Sequence, residues 1–137
     1  RKEIELKLIH DAHHDSLTNL PNRAMFNSRL ELAIANKNRY PDHNFAVLFI
    51  DLDRFKQIND SLGHHAGDMF LVEVSSRIAA CIRAHDLLAR LGGDEFVILL
   101  DSFEDFNDVE EVANRVIHSI AQPFILEGKE MYSGASI

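Results

Sequence analysis

Three acidic residues stand beside the two most apolar stretches of the chain. Asp51 follows residues 45–50, and Asp94 and Glu95 precede residues 96–100. Each stretch has the length and composition of a buried strand. If the two strands are neighbours, Asp51 and Asp94 come close together and repel each other unless a divalent cation compensates their charge. Oxygen ligands select a hard ion, Mg²⁺ or Mn²⁺. The alternative is that these are solvated loop acids, because Asp is common at strand ends and in turns.

Two glycines and two polar residues could bind a ligand near these carboxylates. Gly92 and Gly93 allow the backbone to approach a bulky ligand closely, although an ordinary tight hairpin would also use them. Asp68 can accept hydrogen bonds from the adjacent N–H donors of guanine, and the Asn59 amide can complete the contact with that base edge. Helix capping is the alternative role for Asn59 and Asp68. These positions indicate either a nucleotide site or ordinary turns and caps.

The remaining polar residues give weaker signals. Lys56 and Arg90 are candidate phosphate contacts, or else surface charges. Residues 13–14 and 64–65 are adjacent histidine pairs, which rarely chelate one ion, so a zinc site is not expected. Cys81 is the single cysteine, which excludes an internal disulfide framework and fits a reducing compartment.

The spacing of apolar residues predicts the elements that would position these side chains. Helical spacing indicates helices over residues 1–14, from the turn at 15–23 to about 38, from about 55 to 62, from about 66 to 85, and over 107–121. Strands are predicted at 45–50, in a hairpin around Gly92-Gly93, and in a second hairpin around Glu127-Gly128 whose last strand covers 131–137. Hairpins combined with crossover helices predict an α+β fold, with a central, largely antiparallel sheet flanked by helices.

The predicted domain organisation is a linker helix followed by one domain. Residues 1–14 have an apolar face. This face indicates either the end of a longer helix that arrives from a preceding domain or a helix that pairs with a second copy in a dimer. The alternative is a terminal helix that packs on its own domain. Thr18 or Asn19 is predicted to cap the second helix, with Pro21 in its first turn. Residues 15–137 form the domain, and because its last strand has no closing element behind it, we expect a domain truncated at the C-terminus.

Composition excludes several classes of protein. The 137 residues carry a formal net charge of −8, with 46% hydrophobic and 26% charged residues, an ordinary globular mixture. Disordered, fibrous and rod-like proteins are therefore excluded, and no apolar run approaches the length of a membrane span. No basic stripe is visible, so nucleic-acid binding and membrane contact by this domain are not expected. An acidic domain can still handle phosphates if metal ions lie between its carboxylates and the ligand.

Successive sequence motifs resemble those of one family. Residues 91–96 read LGGDEF, residues 15–23 read DSLTNLPNR, and residues 51–68 contain DLDRFKQIND, LGH and GD. Together they resemble the GGDEF domain of diguanylate cyclases, with Asn19 at a position where Gly is commoner in the family. The resemblance covers residues 15–137. It implies a fold similar to nucleotide cyclases and polymerase palm domains, and a parent protein that combines a sensor with GGDEF or GGDEF-EAL domains.

The resemblance also implies a reaction and its residues. Two GTP molecules would condense to cyclic di-GMP with loss of two pyrophosphates, in a homodimer whose domains each hold one GTP and two Mg²⁺ or Mn²⁺ ions. The metal ligands would be Asp51, Asp94 and the carbonyl of Leu52, and Asp94 or Glu95 would help deprotonate the 3′-hydroxyl. Asn59 and Asp68 would read guanine. The other implied substrate contacts are Phe55, Lys56, Gly92 and Gly93.

A second site and a competing function follow from the same resemblance. Arg83 and Asp86 match an Arg-x-x-Asp inhibitory site that would bind the product cyclic di-GMP, although a helix-end salt bridge is the simpler alternative. The competing function is a catalytically silent module that binds GTP or cyclic di-GMP and regulates a neighbouring domain. The family continues past residue 137 into a helix that holds the triphosphate, which places turnover by this chain alone in doubt. We expect the domain to be cytoplasmic, within a parent protein that could be membrane-anchored elsewhere.

Overall fold

Helices and strands follow one another in the mixed order that the sequence predicts. The structure is a computed structural model that describes residues 2–137, so the first residue of the predicted linker helix lies outside the described part. The helices are α1 (Lys2–His13), α2 (Arg23–Arg39), α3 (Phe55–Leu62), α4 (His64–Ala79) and α5 (Phe106–Ile120). The strands are β1 (Phe45–Leu52), β2 (Leu87–Gly92), β3 (Glu95–Asp101), β4 (Phe124–Leu126), β5 (Lys129–Met131) and β6 (Ala135–Ser136).

The main sheet is antiparallel throughout and has the order β2-β3-β1-β6. β1 pairs with β3 from Phe45 opposite Asp101 to Asp51 opposite Glu95, which confirms the predicted pairing of the two most apolar strands. β2 and β3 form the predicted hairpin around Gly92. The predicted α+β architecture is therefore confirmed.

The sheet has two covered faces because side chains alternate along each strand. One face packs against α3, α4 and α5 in the larger core, which includes Ile50, Phe70 and Phe96. The other face packs against α2 through Phe26 and Ala33. Asp51 and Glu95 belong to the α2 face by this alternation, at the end of the sheet where β1 stops and β3 begins.

Three boundaries differ from the sequence prediction. The N-cap of α2 is Asn22, whose Oδ1 accepts a hydrogen bond from the Met25 N–H at 3.1 Å, so Thr18, Asn19 and Pro21 all precede the helix. α4 ends at Ala79 instead of near residue 85. The stretch 131–137 is not one strand: the first part ends the β4–β5 hairpin, and β6 leaves that hairpin to pair with β1.

Arg77 joins α4 to the segment after α5. Its guanidinium donates to the carbonyls of Ser119, Gln122 and Pro123 at 3.0, 2.8 and 2.6 Å, and it lies 3.7 Å from the centroid of the Phe124 ring. Ser119 is in the last turn of α5, and Gln122 and Pro123 belong to the segment that leads from α5 into β4. Arg77 therefore fixes the position of β4 against α4.

The apolar side chains of α1 are directed to solvent. Four of them are 61–64% exposed: Ile4, Leu6, Leu8 and Ile9. The end of α1 is tied to the following residues by hydrogen bonds from His10 Nε2 to Asn19 Oδ1 (2.8 Å) and from Asn22 Nδ2 to the Ala12 carbonyl (3.0 Å). No helix in the described part of the chain is long and apolar enough to cross a membrane.

Candidate functional site

The pairing of β1 with β3 gathers three carboxylates at one end of the sheet. Asp51 lies directly opposite Glu95, and Asp94 precedes Glu95 in the turn. Burial raises the pKa of Asp94, and the negative charges of Asp51 and Glu95 raise it further. The structure therefore brings together the predicted carboxylates, and the charged form of Asp94 is disfavoured there without a counter-ion.

The donor set at this end of the sheet fits a hard divalent cation. Carboxylate oxygens of Asp51 and Asp94 are the ligand type that Mg²⁺ and Mn²⁺ prefer. Leu52, the third predicted ligand, ends β1 beside β6, with its side chain in the core and only its carbonyl available as a donor. Among the described residues, no three His, Cys, Asp or Glu side chains are grouped to share one ion. Any further ligands would therefore be backbone carbonyls, water or oxygens of a bound molecule.

Asp53 contributes to this end of the sheet in a different way. Its Oδ1 accepts a hydrogen bond from the Ser136 hydroxyl at 2.9 Å, and its backbone N–H donates to the Gly134 carbonyl at 3.0 Å. The two contacts lie on either side of Ala135 and hold β6 beside Asp51 and Leu52. Asp53 therefore anchors the neighbouring strand.

The turn between β2 and β3 is formed by two glycines in left-handed conformations. Gly92 has φ +141° and Gly93 has φ +49°, values that other residues rarely adopt. A Cβ at either position would meet no atom within 4 Å, so the space beside the turn is open. The glycines thus provide both the tight turn and a bare backbone beside the carboxylates.

Arg90 holds the turn between β2 and β3 in place. Its Nε and Nη2 donate to the Gly93 carbonyl at 3.1 and 2.8 Å, and its Nη1 donates to Asp15 Oδ1 at 2.9 Å. The side chains of Arg90 and Asp15 are only 13% and 17% exposed. The prediction of Arg90 as a phosphate contact is therefore wrong for this structure, because the guanidinium is engaged within the protein.

Asp15 links the hairpin to the turn at residues 14–22, which connects α1 and α2. Burial alone would raise the pKa of Asp15, but hydrogen bonds from the Thr18 N–H and hydroxyl, together with Arg90, lower it below its usual value. The lowered pKa means that the charged carboxylate is the form that the fold stabilises. No sequence signal pointed to this contact, because its partners lie 75 residues apart.

Asn59 and Asp68 lie on the adjacent helices α3 and α4. Asn59 Oδ1 is buried without a hydrogen-bond partner among the described residues. Asp68 is exposed and lines a groove of about 430 Å³ together with Leu17, Met69 and Val72. Neither side chain caps α4, which begins after Gly63 without a side-chain cap. Helix capping therefore does not explain these two residues.

Phe55 and Lys56 begin α3, directly after the end of β1. Phe55 is partly buried against the larger core, and Lys56 is exposed. Because α3 starts three residues after Leu52, the backbone of Lys56 lies just beyond the end of β1 that carries Asp51. The structure thus leaves Lys56 free to contact an anionic ligand there.

Arg83 and Asp86 form an ion pair after the end of α4. The buried Asp86 carboxylate accepts hydrogen bonds from the Arg83 backbone N–H (3.0 Å), Nε (3.2 Å) and Nη2 (3.3 Å). The Arg83 side chain is 49% exposed. The pair precedes β2 and the carboxylates lie past its other end, and β2 itself spans about 16 Å at about 3.3 Å per residue. The helix-end salt bridge is therefore present, and the pair is separate from the acidic site.

Fold and site together define an α+β domain with an acidic centre at the turn of its central hairpin. Residues 12–137 match the family described as "Diguanylate cyclase, GGDEF domain". The chain belongs to the GGDEF family.

Curated relatives are longer than this chain. MucR of Pseudomonas aeruginosa, a bifunctional diguanylate cyclase/cyclic di-GMP phosphodiesterase, is 49% identical over 131 residues, which cover 96% of this chain and 19% of MucR. The match to the diguanylate cyclase TpbB of the same species covers 27% of that protein. The chain therefore corresponds to one part of these proteins.

Solved structures agree with this assignment. The GGDEF domain of TpbB has a TM-score of 0.85 and 48% identity, covering 90% of this chain and 72% of that chain. The GGDEF domain of DgcB from Caulobacter crescentus, solved in complex with c-di-GMP, has a TM-score of 0.85 and 26% identity, covering 92% and 75% of the two chains. The predicted family and fold are therefore confirmed.

Proposed function

We propose that this chain is a diguanylate cyclase domain that condenses two GTP molecules to cyclic di-GMP with release of two pyrophosphates. The observation that supports the proposal best is the placement of Asp51, Asp94 and Glu95 at one end of the sheet in a member of the GGDEF family. Burial and the negative charges of Asp51 and Glu95 disfavour the charged form of Asp94, and a bound cation would compensate that charge.

Asp51, Asp94 and the Leu52 carbonyl would hold the divalent cations, two Mg²⁺ or Mn²⁺ ions per site. When bound, such ions reduce the charge of the triphosphate and stabilise the attacking and leaving oxygens. Gly92 and Gly93 leave the backbone beside the carboxylates accessible to the substrate. Phe55 and Lys56 start α3 at the same end, where the ammonium of Lys56 can pair with phosphate oxygens.

The chemical step is an in-line displacement at each α-phosphate. The 3′-oxygen of one GTP forms a bond to the α-phosphorus of the other, and the bond to pyrophosphate breaks. The proton of the 3′-hydroxyl passes to Asp94 or Glu95. Because each domain holds one GTP, the reaction requires two copies of the domain facing each other.

Asn59 and Asp68 would select guanine. Guanine presents adjacent N1–H and N2–H donors, whereas adenine lacks this pair of donors. The exposed Asp68 carboxylate and the unpartnered Asn59 oxygen are both acceptors on neighbouring helices. Recognition by complementary donors and acceptors predicts binding of GTP in preference to ATP.

Product formation from GTP and Mg²⁺ by the whole protein that contains this chain tests the proposal. Asp51→Asn is expected to reduce cyclic di-GMP formation at least a hundredfold, because it removes an anionic ligand. Asp60→Asn is the matched control, since it makes the same charge change at an exposed position of α3. Turnover by Asp51→Asn within a few fold of the control would refute the metal assignment. GTP binding without any turnover by the unmodified protein would identify a silent regulatory module.

We also propose that Arg83 and Asp86 bind cyclic di-GMP as an inhibitory site. The half-exposed guanidinium of Arg83 is already oriented by the buried Asp86 carboxylate, so binding would need no large rearrangement of the arginine. Calorimetry with cyclic di-GMP is expected to detect binding that Arg83→Ala weakens at least tenfold. Binding that is unchanged in Arg83→Ala would leave the two residues as a salt bridge only.

A further inference from the structure

Gly67 lies inside α4 at a place where no side chain can fit. A Cβ built on Gly67 would lie 1.7 Å from Asn59 Oδ1 and 2.8 Å from Asn59 Cγ, which are separations that real Cβ atoms do not have. Glycine is unfavourable within a helix, so its presence there needs a reason. The Asn59 amide occupies the space that a Cβ would take.

The backbone of Gly67 does not explain the glycine. Gly67 continues the helix from His64 to Ala79 without a left-handed φ, unlike Gly63, Gly92 and Gly93. Its other neighbour, Phe55 Cε1, would lie 3.4 Å from the added Cβ, which is close to ordinary contact. The demand for glycine therefore comes from the Asn59 amide alone.

The Asn59 amide oxygen is held there without the hydrogen bond that a buried acceptor usually makes. This oxygen, Oδ1, is buried and has no partner among the described residues. An acceptor in that state is costly to bury, and a ligand N–H that reached it would recover the cost. Asp68, the next residue along α4 from Gly67, offers a second, exposed acceptor. Two neighbouring acceptors match the two adjacent N–H donors of guanine.

We propose that Gly67 is a positioning residue that sets the base specificity of this site by seating the Asn59 amide against α4. The inference rests on the proposed binding of GTP. A larger residue at position 67 would force the amide away from α4, so Asn59 and Asp68 would no longer present their acceptors together. The expected consequence is a loss of discrimination between guanine and adenine nucleotides, with the fold retained.

A double-mutant cycle separates this role from a simple packing role. The four proteins are the unmodified whole protein, Gly67→Ala, Asn59→Ala, and the double variant. GTP and ATP affinities are measured by calorimetry with Mg²⁺, and thermal unfolding is followed in parallel. Gly67→Ala is expected to weaken GTP binding tenfold or more while ATP binding changes less than threefold. In the Asn59→Ala background, the same substitution is expected to change GTP affinity less than twofold, because the displaced amide is already absent.

Several results would overturn the inference. One is Gly67→Ala binding GTP as tightly as the unmodified protein, and another is an equal loss of GTP and ATP affinity. If Gly67→Ala alone does not fold, the double variant is expected to fold and to bind GTP as tightly as Asn59→Ala does. A double variant that does not fold, or that binds GTP more weakly than Asn59→Ala, would refute the proposal that Gly67 acts by positioning Asn59. Equal binding of GTP and ATP by the unmodified protein would instead refute the proposed function, so the two failures are distinguishable.

Discussion

Replacement of Arg90 tests how the β2–β3 turn is held in place. The guanidinium makes two hydrogen bonds to the Gly93 carbonyl and one to Asp15, and both partners of the ion pair are largely shielded from water. Arg90→Ala removes all three contacts and leaves the Asp15 carboxylate with only its Thr18 donors. Arg90→Lys keeps a cation for Asp15, but a single ammonium cannot reproduce the planar fork that also binds the Gly93 carbonyl.

The expected cost follows from the burial of the pair. A hydrogen bond to a charged group contributes about 1.5–3 kcal/mol, and breaking a fully buried ion pair costs about 3–5 kcal/mol. Because Asp15 keeps two bonds from Thr18, we expect Arg90→Ala to lower the free energy of unfolding by about 2–4 kcal/mol. Arg90→Lys is expected to cost about 1–2 kcal/mol, since the contact with Asp15 persists. Either loss is a large share of the roughly 5–15 kcal/mol that stabilises a domain.

The pH dependence gives an independent check. The folded-state pKa of Asp15 is below its unfolded value, so its contribution to stability is complete above the unfolded pKa and is lost as pH falls through the folded pKa. Part of this contribution comes from Arg90. The difference in unfolding free energy between the unmodified chain and Arg90→Ala is therefore expected to shrink below about pH 4.

Urea unfolding of the 137-residue chain at neutral and acid pH measures both effects. Arg23→Ala is the control, because it removes an exposed arginine at the start of α2. A neutral-pH difference below about 0.5 kcal/mol for Arg90→Ala, within the usual range for surface substitutions, would refute the proposed anchoring. So would a difference that is the same at pH 7 and pH 3.

Two further predictions concern stability. Asp94→Asn is expected to stabilise the metal-free chain by about 0.2–1 kcal/mol, because burial and the negative charges of Asp51 and Glu95 disfavour the charged Asp94 carboxylate. Since the folded pKa of Asp94 is raised, the gain should be complete above that pKa and vanish in acid, and a lower unfolding temperature at pH 7 would contradict it. Arg77→Ala is expected to lower the free energy of unfolding by about 2–3 kcal/mol, because the guanidinium loses its hydrogen bonds to three carbonyls and its contact with the Phe124 ring. A decrease below about 1 kcal/mol in urea unfolding would contradict this.

The parts of the fold that the sequence predicts are those set by local apolar patterns. The two apolar runs at 45–50 and 96–100 had to be buried, and pairing them as neighbours placed Asp51 near Asp94 as expected. The Gly92-Gly93 pair and the Glu127-Gly128 dipeptide marked the two hairpins. The acidic end of the site follows directly from this pairing, since each carboxylate is adjacent in sequence to a strand.

The N-terminal boundary of α2 shows why residue types alone did not predict the correct helix cap. Thr18, Asn19 and Asn22 are all acceptable caps by residue type. Tertiary structure decides among them, because Thr18 is already hydrogen bonded to Asp15 and Asn19 adopts φ +60° within the turn, with its side chain bound to His10. Only Asn22 remains available to α2. The positive φ of Asn19 also gives a physical reason why glycine suits that position.

The Arg90 contacts make the turn at residues 14–22 a structural part of the acidic site. Gly93 precedes Asp94, and its carbonyl is held by the guanidinium that Asp15 orients. Asp15 is therefore linked through one planar guanidinium group to the residue before a candidate metal ligand. The end of α1 is bonded to the same turn through His10 and Asn19. A series of hydrogen bonds thus connects the first helix to the Gly93 carbonyl, one residue before Asp94.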